Sequence, residues 1–261
     1  MVAVPKKQAW QDHYADGKGF RQVGEVECTL LAAHTPVPDG EGRALDIGCG
    51  TGELAVTLAS MGYTVDAVDY AESALPRARA EHAEVKGVRW WCRDVEREAL
   101  PEAAPDGEPG FDLITLRLCI AFISNRTALL RTLGAELRPG GAIVVITPLT
   151  ETTPAERQNV ALDEDEIELL SEGFDSVARF DAEGLAVLVL RGTADEVSVV
   201  ERGRPVSQAV FGASAVVTDG EGRVLLDAAY VMPRLTGPDD ATTLRPWDPS
   251  SAPGSRTAPG P

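Results

Sequence analysis

Ala44-Leu45-Asp46-Ile47-Gly48-Cys49-Gly50-Thr51-Gly52 is the stretch that decides the fold. The run Ala44–Ile47 is short and apolar apart from Asp46, and it leads directly into glycines at alternate positions. A run of that kind, bounded by glycine, reads as a buried strand that ends in a sharp turn. Helical periodicity begins at Glu53, with Leu54 and Leu58 one turn apart and Gly62 placed as a C-cap. Strand, glycine turn and helix together open a βαβ unit. Ligands bind at such turns because a residue without a Cβ lets backbone come close to them.

Downstream the alternation repeats. Thr64–Val68 reads as the second strand, followed by a helix with Ser73 as N-cap and Pro76 in its first turn. Val88–Cys92 is a third strand, and Phe111–Leu116 a fourth, after a loop over Glu102–Gly110 rich in proline, glycine and acid. Ser124 or Asn125 caps a helix bearing Leu129, Leu130, Leu133 and Leu137, which Pro139-Gly140-Gly141 stops before a fifth strand at Ala142–Ile146. Asp163–Leu170 reads as a helix, and Ser176–Phe180 with Leu185–Leu190 as a hairpin across Asp181–Gly184. The pattern predicts an α/β fold: a Rossmann-like, seven-stranded, mostly parallel sheet with an antiparallel C-terminal hairpin. Upstream, residues 1–42 form a helical cap, with Val23, Val26, Leu30 and Leu31 at helical spacing. The α/β domain itself covers 43–192.

The glycine spacing narrows the chemistry. Dinucleotide turns read G-x-G-x-x-G, whereas this one is G-x-G-x-G followed by Glu53. A pyrophosphate would meet that carboxylate, so a nicotinamide oxidoreductase is disfavoured. The acidic setting suits S-adenosylmethionine, which has no phosphate and carries a positive sulfonium. Asp69, at the end of the second strand, is placed to accept hydrogen bonds from ribose hydroxyls, and Tyr70 beside it can pack on adenine.

Taken together, the segments Ala44–Gly52, Val65–Asp69, Arg93-Asp94-Val95-Glu96, Phe111–Leu118 and Leu137–Gly141 resemble, in order, the motifs of class I S-adenosylmethionine-dependent methyltransferases of the small-molecule branch. The resemblance covers roughly the first three quarters of the chain and implies methyl transfer to O, N or C of a small metabolite or natural-product intermediate. It implies a cofactor site built from Asp46, Gly48, Cys49 and Gly50, with Asp69 on the ribose and Tyr70, Asp94 and Val95 at the adenine. Leu116, at the end of the fourth strand, would also touch the cofactor. Trp10-Gln11-Asp12-His13-Tyr14 resembles the family's W-x-x-x-Y helix, which makes Trp10 and Tyr14 lid residues. Relatives often place a histidine near Leu118–Phe122, where this chain has Leu-Cys-Ile-Ala-Phe, and none of His13, His34 or His82 is assigned as a catalytic base. A non-catalytic S-adenosylmethionine-binding partner or scaffold is the alternative reading.

Composition sets outer bounds. A net charge of −17 over 261 residues repels phosphate backbones and anionic membrane surfaces, so neither nucleic acid nor membrane is an expected partner. The four cysteines have no zinc-like spacing, there is no apolar leader, and no run reaches a membrane span, so a reduced, cytoplasmic, metal-free protein is expected. Residues 193–235 contain a hairpin, Phe211–Leu226, that resembles the opening of a Nudix hydrolase domain. Glu221 is the last glutamate in the chain, so the magnesium-binding glutamates of that family are missing. A lone hairpin is marginal, so it is expected to dock on the main domain or on a second copy in a homodimer. The tail over 236–261, dominated by Pro, Gly, Ser, Thr and Asp, is expected to be disordered.

Overall fold

β1 (Gly42–Ile47) is buried along its whole length, which is why its sequence runs apolar instead of alternating. In the computed structural model, which describes residues 7–39, 42–102 and 109–193, this strand lies near the middle of a seven-stranded sheet. Two helices precede it, α1 (Lys7–Ala15) and α2 (Glu25–His34). After it come α3 (Glu53–Met61), β2 (Tyr63–Asp69), α4 (Ala74–Glu81), β3 (Val88–Cys92) and β4 (Phe111–Arg117). The chain continues through α5 (Arg126–Ala135), β5 (Leu137–Pro148), α6 (Glu164–Ser171), β6 (Phe174–Ala182) and β7 (Leu185–Thr193).

The strand order is β3-β2-β1-β4-β5-β7-β6, with β1 to β5 parallel and β7 antiparallel to both neighbours. Winding therefore runs outward from β1 through β2 and β3, then reverses to β4 on the other side. That switch point opens a crevice beyond the carboxyl ends of β1, β2 and β4. Helices fill both faces: Leu54 and Leu58 of α3 pack on one, Leu129, Leu130 and Leu133 of α5 on the other.

Three local details differ from the sequence reading or explain an oddity in it. Ser73 is the N-cap residue of α4 but makes no cap bond; its hydroxyl donates to the Gln11 carbonyl (2.7 Å), tying α4 to α1. β5 starts at Leu137, because Leu137 already pairs with Phe111; the Pro139–Gly141 turn bulges out of the ladder before Ala142 pairs with Leu113. Asp66, a fully buried charge in β2, takes hydrogen bonds from Arg43, Arg89 and Trp91 Nε1, each at 2.8 Å. A buried carboxylate is tolerated when its oxygens are satisfied in this way.

The expectations for the Nudix-like hairpin and the C-terminal tail lie outside the described residues, from 194 onward.

Candidate functional site

The crevice at the switch point is a cleft of about 450 Å³. Its floor is the glycine turn, its sides are the ends of β2 and β4 and the loop after β3, and α1 crosses its mouth. Two glycines in the turn are required by both backbone and neighbours. Gly50 has φ +53, and a Cβ there would stand 2.6 Å from the Tyr14 hydroxyl. Gly52 has φ +91, and a Cβ there would stand 2.3 Å from the Trp90 ring.

Asp69 holds the turn in place. One of its oxygens accepts from the Gly50 N–H (2.9 Å) and the other from the Ala71 N–H (2.8 Å). Burial raises its pKa, and these backbone hydrogen bonds pull it back down.

Asp46 is 1% exposed. Its Oδ1 accepts from the Thr115 hydroxyl (2.8 Å), while Oδ2 has no partner among the described residues. Burial pushes the carboxyl up to about 7, against the pull of Thr115 and of the Arg117 charge. An orphaned acceptor beneath a glycine turn, in a cleft that also holds Glu53 and Asp69, suits a cationic ligand. The Cys49 and Cys119 thiols in the same wall are pushed upward by burial first and by Asp46 and Asp69 next. They stay protonated and are poor nucleophiles.

The cover over the cleft is fastened at several points. Gln11 Oε1 accepts from the Ser73 N–H (2.9 Å), and Arg77 donates to the Lys18 carbonyl (2.7 Å). The Trp10 ring lies 5.0 Å from Phe122 and 5.4 Å from Phe20, edge-on or tilted. Arg117, at the end of β4, donates from Nε to Glu27 Oε2 (2.7 Å) and from Nη2 to Oε1 (3.1 Å). It also donates to the carbonyls of Arg21 (2.8 Å) and Gln22 (2.9 Å). One buried arginine thus binds the connection between α1 and α2 to the sheet.

Residues 45–143 match the family described as "Methyltransferase domain". That stretch of the chain is similar to methyltransferase domains. The chain is 35% identical over 114 residues to an uncharacterized methyltransferase of Mycobacterium tuberculosis, covering 44% of this chain and 54% of that one. A ubiquinone biosynthesis O-methyltransferase of Caulobacter is 34% identical over 116 residues, covering 42% of this chain and 44% of the relative. The chain therefore spans about half the length of the curated relatives it matches. Among solved structures, the N-methyltransferase NodS of Bradyrhizobium japonicum, crystallised with S-adenosyl-L-homocysteine, shares the fold. It has a TM-score of 0.54 at 18% identity, over 72% of this chain and 98% of that one.

Tyr14, Asp46, Gly48, Cys49, Gly50, Asp69, Tyr70, Asp94 and Val95 all line the one cleft, although they come from four separate stretches of sequence. Leu116 does not. It is fully buried, packed in the core between sheet and helices, and the adjoining Arg117, Leu118 and Cys119 form that part of the wall. Neighbours on a strand face opposite ways, so a motif shifted by one position changes sides. His82, not assigned as a base from sequence, has its Nε2 3.1 Å from the Thr51 carbonyl, within the glycine turn. His34 stacks on Phe180 with ring centroids 4.1 Å apart and is not a lining residue. Arg117 and Glu27 were not legible as a pair, being 90 positions apart with no pattern linking them.

Proposed function

We propose that the cleft binds S-adenosylmethionine and that the domain transfers its methyl group to O, N or C of a small molecule, a natural-product intermediate being the class in view. The observation that carries this reading is Asp46, whose Oδ2 has no partner among the described residues in a cleft built on a glycine turn. When bound, S-adenosylmethionine supplies an activated methyl on a positive sulfur, so the protein's task is to position it and keep water out. Asp46 offers a charge to its cationic end, Asp69 shapes the turn and retains lone pairs for ribose hydroxyls, and Tyr70, Asp94 and Val95 bound the far end. Trp10 and Tyr14 cover the site from α1. A cleft of about 450 Å³ is in the range of small-molecule sites.

Calorimetric titration with S-adenosylmethionine tests the reading, with micromolar binding expected. No heat at millimolar ligand would end it.

Asp46 gives that titration a pH signature. Its carboxyl sits at about 7 in the fold, above the ordinary value, so native structure favours the neutral form. Stability from this group is greatest in acid and falls as pH rises from about 4 to about 7. A cationic ligand favours the ionised form. Affinity for S-adenosylmethionine should therefore rise on the order of tenfold between about pH 6 and pH 7.5. Asp46→Asn should bind weakly with a flat profile. A flat wild-type profile would remove Asp46 from contact with the cation.

A further inference from the structure

The two halves of the glycine turn are held differently. The first half is tied to β2: the Gly48 and Cys49 N–H groups donate to the Val68 carbonyl (2.8 and 3.1 Å), and the Gly50 N–H to Asp69. The second half, Thr51 and Gly52, makes no hydrogen bond to the sheet among the described residues. It rests on one peptide group instead. The Gly52 N–H donates to the Cys49 carbonyl (2.8 Å), and the Thr51 carbonyl accepts from His82 Nε2 (3.1 Å). A peptide is planar, so gripping both of its ends fixes the orientation of the Thr51–Gly52 unit. A carbonyl only accepts, so Nε2 carries the hydrogen, and the ring supplies it whether neutral or charged.

His82 is the C-cap residue of α4, but the cap bond is made by its backbone N–H, which donates to the Ala78 carbonyl (3.0 Å). Its own carbonyl accepts from the Val85 N–H (3.0 Å). The backbone is therefore fixed on both sides, and the side chain is left for the turn. Its ring lies at 13° to that of Trp90, with centroids 6.3 Å apart. Both rings close over Gly52, where a Cβ would collide with Trp90 and stand 3.3 Å from His82 Cδ2. Trp90 is itself anchored, opposite Ala67 of β2 and with its carbonyl accepting from Arg79 of α4 (3.1 Å).

Neither His82 nor Trp90 lines the cleft, whereas Thr51, Glu53 and Leu54, next to the gripped peptide, do. The other end of α4 fastens the cover through Ser73 and Arg77. One eight-residue helix thus reaches both the cover and the floor of the site.

We propose that His82 is a positioning residue for the cofactor: from behind the glycine turn it holds the Thr51 carbonyl, and so fixes where Thr51 and the first turn of α3 meet S-adenosylmethionine. This rests on the proposed function above. His82 stands outside the cleft, so it acts through Thr51 and takes no part in the chemistry. A buried carbonyl that loses its donor is costly, and the turn relieves that cost by rotating the peptide, which moves Thr51 in the cleft wall.

Three variants separate the donor from the ring. His82→Gln keeps an amide N–H as many bonds from the backbone as Nε2. His82→Phe keeps a ring on Trp90 without the donor, and His82→Ala loses both. Each is titrated calorimetrically with S-adenosylmethionine, melted without ligand, and followed by amide exchange in NMR. The dissociation constant should rise about tenfold in His82→Phe, at least as much in His82→Ala, and less than roughly threefold in His82→Gln. The Phe and Gln variants should melt within a few degrees of each other. In ligand-free His82→Phe the Gly52 amide should exchange about tenfold faster than in the wild type, with the Gly50 amide unchanged because Asp69 still holds it. Equal affinities of the Gln and Phe variants overturn the proposal, as does affinity that only follows melting temperature across the three. An unchanged Gly52 exchange rate overturns it too. Those results leave the functional reading standing, whereas no binding of S-adenosylmethionine to the wild type brings down that reading and this role with it.

Discussion

Replacing Glu27 with alanine should lower the melting temperature by about 10 °C. Glu27 is 1% exposed and Arg117 is bound to it through both carboxylate oxygens. Side-chain exposure of the pair is 9% for Arg117 and 2% for Glu27, so neither charge is rescued by water. Removing one partner leaves the other buried and uncompensated, at a cost of about 3–5 kcal/mol. The same principle says that removing both charges together is much less harmful. The double variant Glu27→Leu/Arg117→Met should recover most of the lost stability in thermal denaturation, because the two carbonyls that Arg117 leaves, Arg21 and Gln22, lie in exposed contacts that water can replace. It should not recover cofactor affinity, since Arg117 also fastens the cover to the sheet. If Glu27→Ala melts within a few degrees of the wild type, the pair is not what holds the α1–α2 connection down.

The second large effect is on binding. Asp69→Ala should weaken S-adenosylmethionine binding by about 100-fold or more, measured by calorimetry. The carboxylate accepts from the N–H groups of Gly50 and Ala71, and both bonds are buried. Without it two donors are left unsatisfied, each at about 1–3 kcal/mol, and the turn can relieve that cost only by moving away from the end of β2. A displaced turn no longer presents the cleft floor, and about 2.7 kcal/mol is already a hundredfold in affinity. Asp69→Asn keeps one acceptor oxygen and should fall between. Near-normal binding by Asp69→Ala would show that Asp69 neither shapes the turn nor meets the ribose.

These two predictions differ in how far they could be read from the chain alone. Asp69 was visible because its position depends on local order: it ends a strand that follows a glycine turn, and any fold that pairs β1 with β2 puts it beside that turn. The same holds for Asp46, Gly48 and Gly50, which follow one another along a single strand and its turn. Tyr14 was legible as part of a helix resembling the family's lid helix. The closeness of its hydroxyl to Gly50 was not, since that depends on Gln11, Ser73 and Arg77 docking α1 across α4.

The missed residues share a physical cause. Arg117 reads as the residue just past an apolar strand and Glu27 as one of two acids at the start of a helix, and only the packing of α2 against the sheet makes them a pair. Leu116 packs into the core while Arg117 lines the cleft, a difference of face that a strand does not reveal until the layer above each side is known. His82 closes on Thr51 only because the helix it caps returns toward the turn.

Periodicity and glycine spacing act over a few residues, so the order of strands, the parallel sheet and the turn that marks the cleft were all contained in the chain's local pattern. Which charges are buried together, which face of β4 looks into the cleft and what stands behind the glycine turn are contacts between distant segments, and only tertiary packing could settle them.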